Sequence, residues 1–309
     1  MSQFLNIARV IAPIFVAVFL GVLARRKAML TADECRGLQK FVTQFALPCV
    51  LFNSCLTADI GGESLSTMAL VLPTVIASCL WAFRAGKSRF PYHNLPMLFS
   101  AQETGMLGIP LFMILFGADQ AYRMGILDLT QALVAFPVIA ILSADTGGEF
   151  SLKAVLKSVF TSPLILMSFA GLLLNLTGAG RLLDSWGIGG IITDTTAFLA
   201  QPVSALMIFS VGFNFSLAGD NRGEILKIAL THFLMFAIFG GIIQLALFLV
   251  PGVDALTRWA LLMYSTLPAS YLAPGLGRSS RDATVASGVC SVLTVISLLV
   301  FCIIAMAAA

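Results

Sequence analysis

Long apolar stretches alternate with short polar islands along the whole chain. Ten of the apolar stretches approach the length, about 20 residues, that crosses a bilayer as an α-helix. They cover residues 4–24, 41–58, 66–83, 95–117, 124–143, 158–176, 191–213, 228–250, 257–277 and 283–306. The connections between them are short and leave no room for a soluble domain or a nucleotide-binding cassette. The pattern therefore predicts an all-α membrane protein with ten transmembrane helices.

Composition agrees with this pattern. Hydrophobic residues make up 59% of the 309 positions, charged residues make up only 11%, and the mean hydropathy is +0.97. An ordinary soluble domain carries about 25% charged residues. A water-soluble fold is therefore excluded, and the lipid bilayer is the expected surroundings. The formal net charge of +3 gives no reason to expect a nucleic-acid partner.

The basic residues favour one side of the predicted membrane. Of the 18 Lys and Arg residues, 14 lie in odd-numbered connections, and cytoplasmic loops retain positive charge. We therefore expect both termini to face the periplasm or the cell exterior. The first span has no basic n-region and no small-residue cleavage site, so it is interpreted as a retained helix. The residues that set this orientation are Arg25, Arg26, Lys27, Arg36, Lys40, Arg84, Lys87, Arg89, Lys153, Lys157, Arg222, Lys227, Arg278 and Arg281.

The sequence shows no constellation of catalytic or metal-ligating residues. The six cysteines form no C-x-x-C pair and no metal-like spacing, so they are interpreted as small packing residues. His93 and His232 are isolated from each other and from any Ser/His/Asp or paired-carboxylate arrangement. The sequence therefore predicts neither an enzyme nor a resident cofactor or metal.

Two halves of the chain echo each other in order. The segments Pro13–Gly21 and Pro163–Gly171 place Pro and Gly at the same separation, and Pro48 in the second span is matched by Pro202 in the seventh. Five spans per half is an odd number, so the second half would insert with the opposite orientation. This is the inverted-repeat plan of many secondary transporters, whose sites lie near the bilayer midplane. The two predicted five-helix repeats are residues 1–147 and 148–309.

The fourth and ninth spans carry helix-breaking residues at equivalent points of the two repeats. The runs are Ser100–Pro110 and Leu267–Gly277. Proline has no N–H to donate, so Pro110, Pro268 and Pro274 leave the carbonyls of Met106, Tyr264 and Ser270 without helical partners. Such backbone is tolerated in a membrane only where it is buried in protein or lines a cavity. Two broken helices that cross would direct two half-helix N-termini at a shared point, which suits a carboxylate. For each cluster alone, a kinked helix without a ligand is the alternative.

Several ordered motifs resemble a known family. They are Leu47-Pro48 followed by Leu51-Phe52, the run Thr104–Leu111, the segment Pro202–Gly212, and Pro268-Ala269 leading into Asp282–Ser287. Over essentially the whole chain they resemble the bacterial branch of the auxin efflux carrier family, which includes malonate and malate permease-like proteins. Its plant relatives are the PIN-FORMED auxin exporters.

The resemblance implies a fold, a mechanism and a location. The implied fold has ten transmembrane helices in two inverted five-helix repeats, with crossed broken helices 4 and 9, like NhaA and the bile-acid symporters. The implied mechanism is an elevator-type movement of a transport domain against a scaffold domain, carrying small organic anions that are typically carboxylates. The implied location is the bacterial inner membrane.

One residue departs from the family pattern. Where the family usually has Asn before its Thr-Gly-x-x-Gly-x-Pro run, this chain has Glu103. An ionised carboxylate at the bilayer centre costs at least about 2.5–3.5 kcal/mol. Glu103 is therefore expected to be protonated, paired or occupied by a cation. The structural alternative is a carboxyl that faces an aqueous cavity or accepts hydrogen bonds from freed backbone.

These inferences define a set of candidate site residues. We expect the substrate carboxylate to lie between the broken helices, held by backbone N–H groups near Gly105, Gly108 and Ser270, with side chains adding further hydrogen bonds. The substrate-binding candidates are Asn53, Ser54, Glu103, Thr104, Gly105, Gly108, Pro110, Gln131, Pro268, Ser270 and Pro274. The coupling candidates are Glu103 and Asp128, although Asp128 could instead pair with Arg123. The polar residues Asn53, Ser54 and Gln131 could equally join helices by hydrogen bonds.

The coupling ion and the transport class stay open at this stage. A protonated Glu103 would donate a hydrogen bond to the substrate and couple transport to H⁺, whereas an ionised one could bind Na⁺ together with freed carbonyls. A cation/proton antiporter of related fold is an alternative within the transporter class. A passive channel is an alternative from another class, but polar residues are concentrated at mid-depth rather than along a continuous stripe. The sequence leaves open the substrate, the direction of transport and whether two copies form a homodimer.

Overall fold

All secondary-structure elements of the described residues are helices. The computed structural model describes residues 2–58, 61–144, 157, 161–216, 221–250 and 252–308. The α-helices are α1 Ser2–Arg26, α2 Ala32–Phe41, α3 Leu47–Leu56, α4 Gly62–Ser88, α5 Leu95–Leu98, α6 Ile109–Phe116, α7 Ala121–Ala144, α8 Pro163–Thr177, α9 Ala179–Ser185, α10 Ile188–Ala200, α11 Val203–Asn214, α12 Arg222–Ala246, α13 Ala255–Tyr264 and α14 Ser280–Ala308.

Six helical segments of the described residues are long and apolar enough to cross a membrane. They are Ala8–Arg26, Ser64–Ser88, Ala118–Ala144, Ile188–Asn214, Arg222–Ala246 and Ser280–Ala308. They coincide with the first, third, fifth, seventh, eighth and tenth predicted spans, so the prediction of a multi-pass helical membrane protein is confirmed. The other four predicted spans consist of shorter helices, which include the apolar segments Thr104–Phe116 and Pro163–Thr177. The predicted start of the sixth span at 158–160, the predicted repeat boundary at 147/148 and Lys153 lie outside the described residues.

Two of the shorter spans contain the same local device. A π-helical turn, Val42–Ala46, runs directly into α3, and a second one, Thr104–Gly108, runs directly into α6. In each case proline is the second residue of the α-helix that follows, Pro48 in α3 and Pro110 in α6. Because proline cannot donate to the preceding turn, that turn widens instead of ending the helix.

Close backbone contacts join two pairs of helices. Helix α1 packs on α11 and α3 packs on α8. A Cβ atom at Gly21 of α1 would lie 2.0 Å from the carbonyl oxygen of Phe209, and one at Gly171 of α8 would lie 2.3 Å from that of Phe52. Glycine is required at both positions because a backbone oxygen, unlike a flexible side chain, cannot move aside.

The helices form two packed groups around a shared core. The first group consists of α1, α2, α3 and α8–α11; the second, here called the crossing group, consists of α4–α7 and α12–α14. Buried side chains such as Leu51, Leu107, Phe112 and Met207 fill the core between the groups. This packing places the interruption after α5 and the one after α13 side by side.

Candidate functional site

Two unwound segments cross each other inside the crossing group. Residues 99–103 follow α5, residues 265–272 follow α13, and an isolated antiparallel bridge pairs Gln102 with Ala269. The N–H of Glu103 donates to the carbonyl of Pro268 at 2.8 Å, and that of Ser270 donates to the carbonyl of Ala101 at 3.0 Å. The segments therefore satisfy part of each other's backbone, as non-helical backbone at membrane depth requires.

The two broken helices are unequal on the two sides of the crossing. The longer pieces, 104–116 and 255–264, pack together through the stacked rings of Phe116 and Trp259, whose centroids lie 6.4 Å apart. The shorter pieces are α5 and the 3₁₀ turn Ala273–Leu276, joined where the Asn94 amide donates to the carbonyl of Ala273 at 2.9 Å. Only the first broken helix resumes as a long helix beyond the crossing. The expectation of two equal half-helix N-termini is therefore wrong for the second one.

Glu103 joins the two crossing segments through its carboxylate. One oxygen accepts the N–H of Met106 at 3.1 Å, and the other accepts the N–H of Tyr271 at 2.7 Å. The side chain belongs to a residue that is only 8% exposed. No Lys or Arg of the described residues forms an ion pair with it. Hydrogen bonding to backbone, the structural alternative raised by the sequence, is the observed arrangement.

Gln131 of α7 binds the first unwound segment at residue 102, through both the N–H and the carbonyl of that residue. Its amide nitrogen donates to the carbonyl of Gln102 at 2.9 Å, and its amide oxygen accepts the N–H of the same residue at 2.7 Å. The nitrogen also donates to the Thr104 hydroxyl at 2.9 Å, and the oxygen accepts the Tyr264 hydroxyl at 3.0 Å. One primary amide thus replaces the helical partners that residue 102 lacks.

Asp128 is a second carboxylate at the crossing. It accepts the hydroxyl of Thr104 and, at 3.0 Å, the amide nitrogen of Gln131. The suggested pairing of Asp128 with Arg123 is wrong, because Arg123 binds Asp254 at the start of α13 through two contacts of 2.6 and 3.0 Å. Among the described residues Asp128, like Glu103, has no basic partner.

Two candidate residues lie away from the crossing. The side-chain oxygen of Asn53 accepts the hydroxyl of Thr196 on α10 at 2.6 Å. The Ser54 hydroxyl donates to the carbonyl of Asp119 and accepts the N–H of Tyr122, both at 2.7 Å. Both contacts connect helices, which agrees with the structural alternative for these two positions.

The glycines and prolines of the candidate set shape the crossing. The N–H of Gly108 donates to the carbonyl of Glu103 at 3.1 Å, so it is no more available to a substrate than that of Ser270. A Cβ atom at Gly108 would lie 2.6 Å from Leu267, whereas Gly105 has no neighbour closer than 4.0 Å. The three prolines occupy the first turn of α6, the crossing and the 3₁₀ turn; they are Pro110, Pro268 and Pro274.

A buried histidine beside the crossing was not among the candidates. His232 of α12 is 1% exposed, and its ring lies 5.3 Å from that of Phe99 and 4.7 Å from that of Phe236. The Gln102 amide, oriented so that its NH₂ faces acceptors, donates to the carbonyl of Leu267 at 3.0 Å and to His232 Nε2 at 3.3 Å. The sequence offers one signal for this residue, a histidine within a long apolar span. His232 looks isolated in the sequence because its partner, Gln102, lies far away along the chain.

A cavity of about 530 Å³ lies between part of the first group and part of the crossing group. Its walls come from α1, α2 and α11 on one side and from α14 on the other, and it reaches the crossing at Tyr271 and Pro274. Arg25 is one of the lining residues, and its guanidinium donates to the carbonyls of Phe213 and Phe215 at 3.3 and 3.1 Å. No carboxylate of the described residues pairs with Arg25.

A second, smaller cavity lies beside Asp128. It measures about 180 Å³ and is formed mainly by apolar side chains of α3, α7 and α8, among them Leu51, Ile126 and Phe169. The two cavities approach the crossing from different helices. One meets Tyr271, which binds Glu103, and the other meets Asp128, which binds Thr104.

Membrane-length helices around a crossing of two interrupted helices, with a cavity that reaches the crossing, are an arrangement found in many membrane transport proteins. Residues 7–150 match the model of a family described as membrane transport protein. Over 216 residues the chain is 25% identical to an uncharacterized transporter of Methanothermobacter thermautotrophicus, and this match covers 68% of each chain. Over 149 residues it is 26% identical to auxin efflux carrier component 3a of Oryza sativa subsp. japonica, which covers 45% of this chain and 24% of that protein.

The predicted resemblance to the auxin efflux carrier family is therefore confirmed. The chain is a multi-pass helical membrane protein that is similar to a transporter and to an auxin efflux carrier. The matching family is one of transporters rather than enzymes.

Proposed function

We propose that this protein is a secondary transporter of a small organic anion, a carboxylate, in a bacterial inner membrane. The observation that carries the proposal is the cavity of about 530 Å³ between the two helix groups, which extends from Arg25 to the crossing. Sites for small molecules commonly measure about 300–1,000 Å³. A guanidinium in the cavity lining, without a carboxylate partner among the described residues, favours entry of an anion, because Arg presents a planar fork of donors that matches a carboxylate.

Internal symmetry supports an elevator built from two inverted repeats. Gly21 and Gly171, which the sequence pairs at equal distances from Pro13 and Pro163, both lie at close backbone contacts. Helix α1 packs on the late helix α11, and α8 packs on the early helix α3, so each half contributes one helix to each pair. In this proposal the first group, to which both halves of the chain contribute, is the scaffold. The crossing group moves against it with its bound substrate.

The carboxylates at the crossing support ion coupling. Glu103 and Asp128 are held by neutral donors and lack basic partners among the described residues. A charge in this setting is costly unless it is protonated or paired with a cation. We propose that Glu103 takes up H⁺, or binds Na⁺ in its place, during each transport cycle, with Asp128 as the second coupling residue.

Uptake by proteoliposomes tests the proposal. Radiolabelled mono- and dicarboxylates are offered with an imposed pH or Na⁺ gradient, and we expect one of them to accumulate. Glu103→Gln is expected to retain exchange of substrate across the membrane but to lose gradient-driven accumulation. Accumulation that is unchanged in this variant would contradict coupling through Glu103, and the absence of uptake for every acid would contradict the substrate class.

Arg25 offers a sharper test with a matched neighbour. A hydrogen bond to a charged group contributes about 1.5–3 kcal/mol, so Arg25→Gln is expected to raise the KM for the acid about tenfold or more. Arg26→Gln removes the same charge from a residue that does not line the cavity, so it is expected to leave KM unchanged. Equal effects of the two substitutions on KM would show that the positive charge of Arg25 acts through the orientation of the protein in the membrane and not through the cavity.

A cation/proton antiporter is the second candidate function. The pair of crossing carboxylates favours it, because two acids without basic partners could exchange H⁺ for a metal cation without any organic substrate. Proteoliposomes loaded with a pH-sensitive dye distinguish the candidates. An antiporter acidifies or alkalises the lumen when Na⁺ or K⁺ alone is added, whereas the proposed anion carrier responds only when the organic acid is present.

A further inference from the structure

The position where a substrate carboxylate was expected is occupied by a carboxylate of the chain itself. Each oxygen of Glu103 accepts one backbone N–H, from Met106 in the first turn of the helical segment 104–116 and from Tyr271 in the opposite unwound segment. The carboxylate thus lies between the two crossing segments and hydrogen-bonds to both. This is the geometry that a bound external carboxylate would adopt between the same two donors.

Four backbone donors of the crossing are already bound to acceptors of the protein. The N–H groups of Gln102, Glu103, Gly108 and Ser270 all donate to acceptors inside the protein. The Met106 and Tyr271 N–H groups would lose their partners if the Glu103 side chain left, and buried unpaired N–H groups are costly. The site formed by the Met106 and Tyr271 N–H groups therefore holds one carboxylate at a time.

We infer that the crossing contains a carboxylate-binding site that Glu103 itself fills, and that an external carboxylate enters this site only when the Glu103 side chain is absent or has moved away. The inference deepens the proposed function, because it names the group that a substrate carboxylate must displace to reach the crossing.

Chemical rescue by formate tests the inference. Glu103→Ala removes the carboxylate and leaves space beside the two N–H donors, so formate can take its place. Thermal unfolding of the purified protein is followed in sodium formate and in sodium chloride at equal ionic strength and pH. We expect formate to raise the Tm of Glu103→Ala by about 2 °C or more in a saturable manner, and to leave the wild-type Tm unchanged.

Three controls restrict the result to the crossing. Glu103→Gln fills the same volume, so formate is expected to give no shift. Glu34 also accepts a backbone N–H, from Thr31 at 2.7 Å, but it lies at an exposed helix start, so Glu34→Ala is expected to show no formate effect. Formamide, the neutral analogue of similar size, is expected not to replace formate in Glu103→Ala.

The contradicting outcomes are equally specific. A folded Glu103→Ala protein whose Tm is the same in formate and chloride would overturn the inference, and so would an equal formate effect in Glu103→Gln. If Glu103→Ala does not fold in chloride, Glu103→Ser is tested in its place and formate is added during solubilisation. Failure of formate to recover either variant as a monodisperse protein also counts against the inference.

This test and the uptake test fail independently. Formate rescue measures a site in the resting protein and requires no transport. A protein that shows rescue but transports no organic acid would retain the inference and lose the proposed function. A protein that accumulates an acid but shows no rescue would retain the proposed function and lose the inference.

Discussion

At the scale of single residues, the partners of the polar side chains come from distant parts of the chain. Asp128 and Arg123 are five positions apart on α7, and proximity in sequence suggested that they pair. Arg123 instead binds Asp254, 131 positions away, and Asp128 binds Thr104. Position within a span predicts how deep a side chain lies, but the rotation of the helix and the identity of its neighbours follow from packing.

The same limit explains which candidate residues meet at the crossing. Sequence reasoning placed Glu103, Thr104 and Gln131 together, and the structure brings all three to the crossing. There Gln131 binds the Thr104 hydroxyl and the carbonyl of residue 102, while Glu103 binds backbone N–H groups. It also included Asn53 and Ser54, which lie at similar predicted depth but bind α10 and the start of α7. The predicted depth of a residue in the membrane could not distinguish the three residues that meet at the crossing from these two.

Gln131→Ala tests the role of the amide that holds the unwound segment. The substitution leaves the N–H and the carbonyl of Gln102 buried without partners, and each such group costs about 1–3 kcal/mol. We expect a clear fall in the free energy of unfolding, measured by denaturant titration in detergent. Gln44→Ala, at an exposed position, is the matched control and is expected to change little. Similar values for both variants would show that the Gln131 amide does not stabilise the crossing.

At the scale of helices, proline and glycine predict that a helix is interrupted but not where. The sequence placed the interruption of the fourth span in the run Ser100–Pro110; the unwound residues 99–103 overlap the start of this run, and Pro110 lies in the first turn of α6. The interruption is maintained by tertiary partners, namely Gln131 and the carbonyl of Pro268. Local sequence also could not show that the second broken helix resumes only as a 3₁₀ turn.

Two adjacent glycines of α12 provide a test of how tightly the ninth span is packed. A Cβ atom at Gly240 would lie 2.5 Å from the side chain of Ser265, where the unwound segment begins, whereas Gly241 has no neighbour within 4 Å. Gly240→Ala is expected to lower the free energy of unfolding by about 1–3 kcal/mol through overpacking. Gly241→Ala is expected to be neutral or to stabilise the helix by up to about 1 kcal/mol. Thermal unfolding compares them, and the reverse order would contradict this packing.

A polar cluster at the end of the crossing group shows how its helices are held together. The Tyr92 hydroxyl donates to Glu224 at the start of α12, and Arg281 of α14 pairs with the same carboxylate at 3.1 Å. Burial and the neighbouring Glu224 raise the pKa of the Tyr92 phenol, so it stays a proton donor at neutral pH. These contacts lie within one helix group, and they favour movement of that group as a unit.

At the scale of the whole molecule, the cavity follows the boundary between the two helix groups. The sequence predicted the membrane class from apolar length and low charge, and the repeat from Pro and Gly spacing. It could not predict a cavity, because the volume between two groups depends on how their helices tilt and on which conformation is adopted. The cavity meets the crossing at Tyr271 and Pro274, on the side of α14, and the proposed transport would require the groups to move relative to each other.

A cross-link between the groups tests that movement directly. The N–H of Ser216, just after α11, donates to the hydroxyl of Ser291 on α14 at 3.0 Å, so the two groups touch beside the cavity at these residues. Oxidation of a Ser216→Cys, Ser291→Cys double variant is expected to abolish uptake, and reduction is expected to restore it. Each single variant is the control, because the native cysteines within the described residues are buried or only partly exposed. A cross-linked protein that still takes up substrate at the full rate would show that the groups keep this contact throughout the cycle, and the movement would then have to occur elsewhere in the bundle.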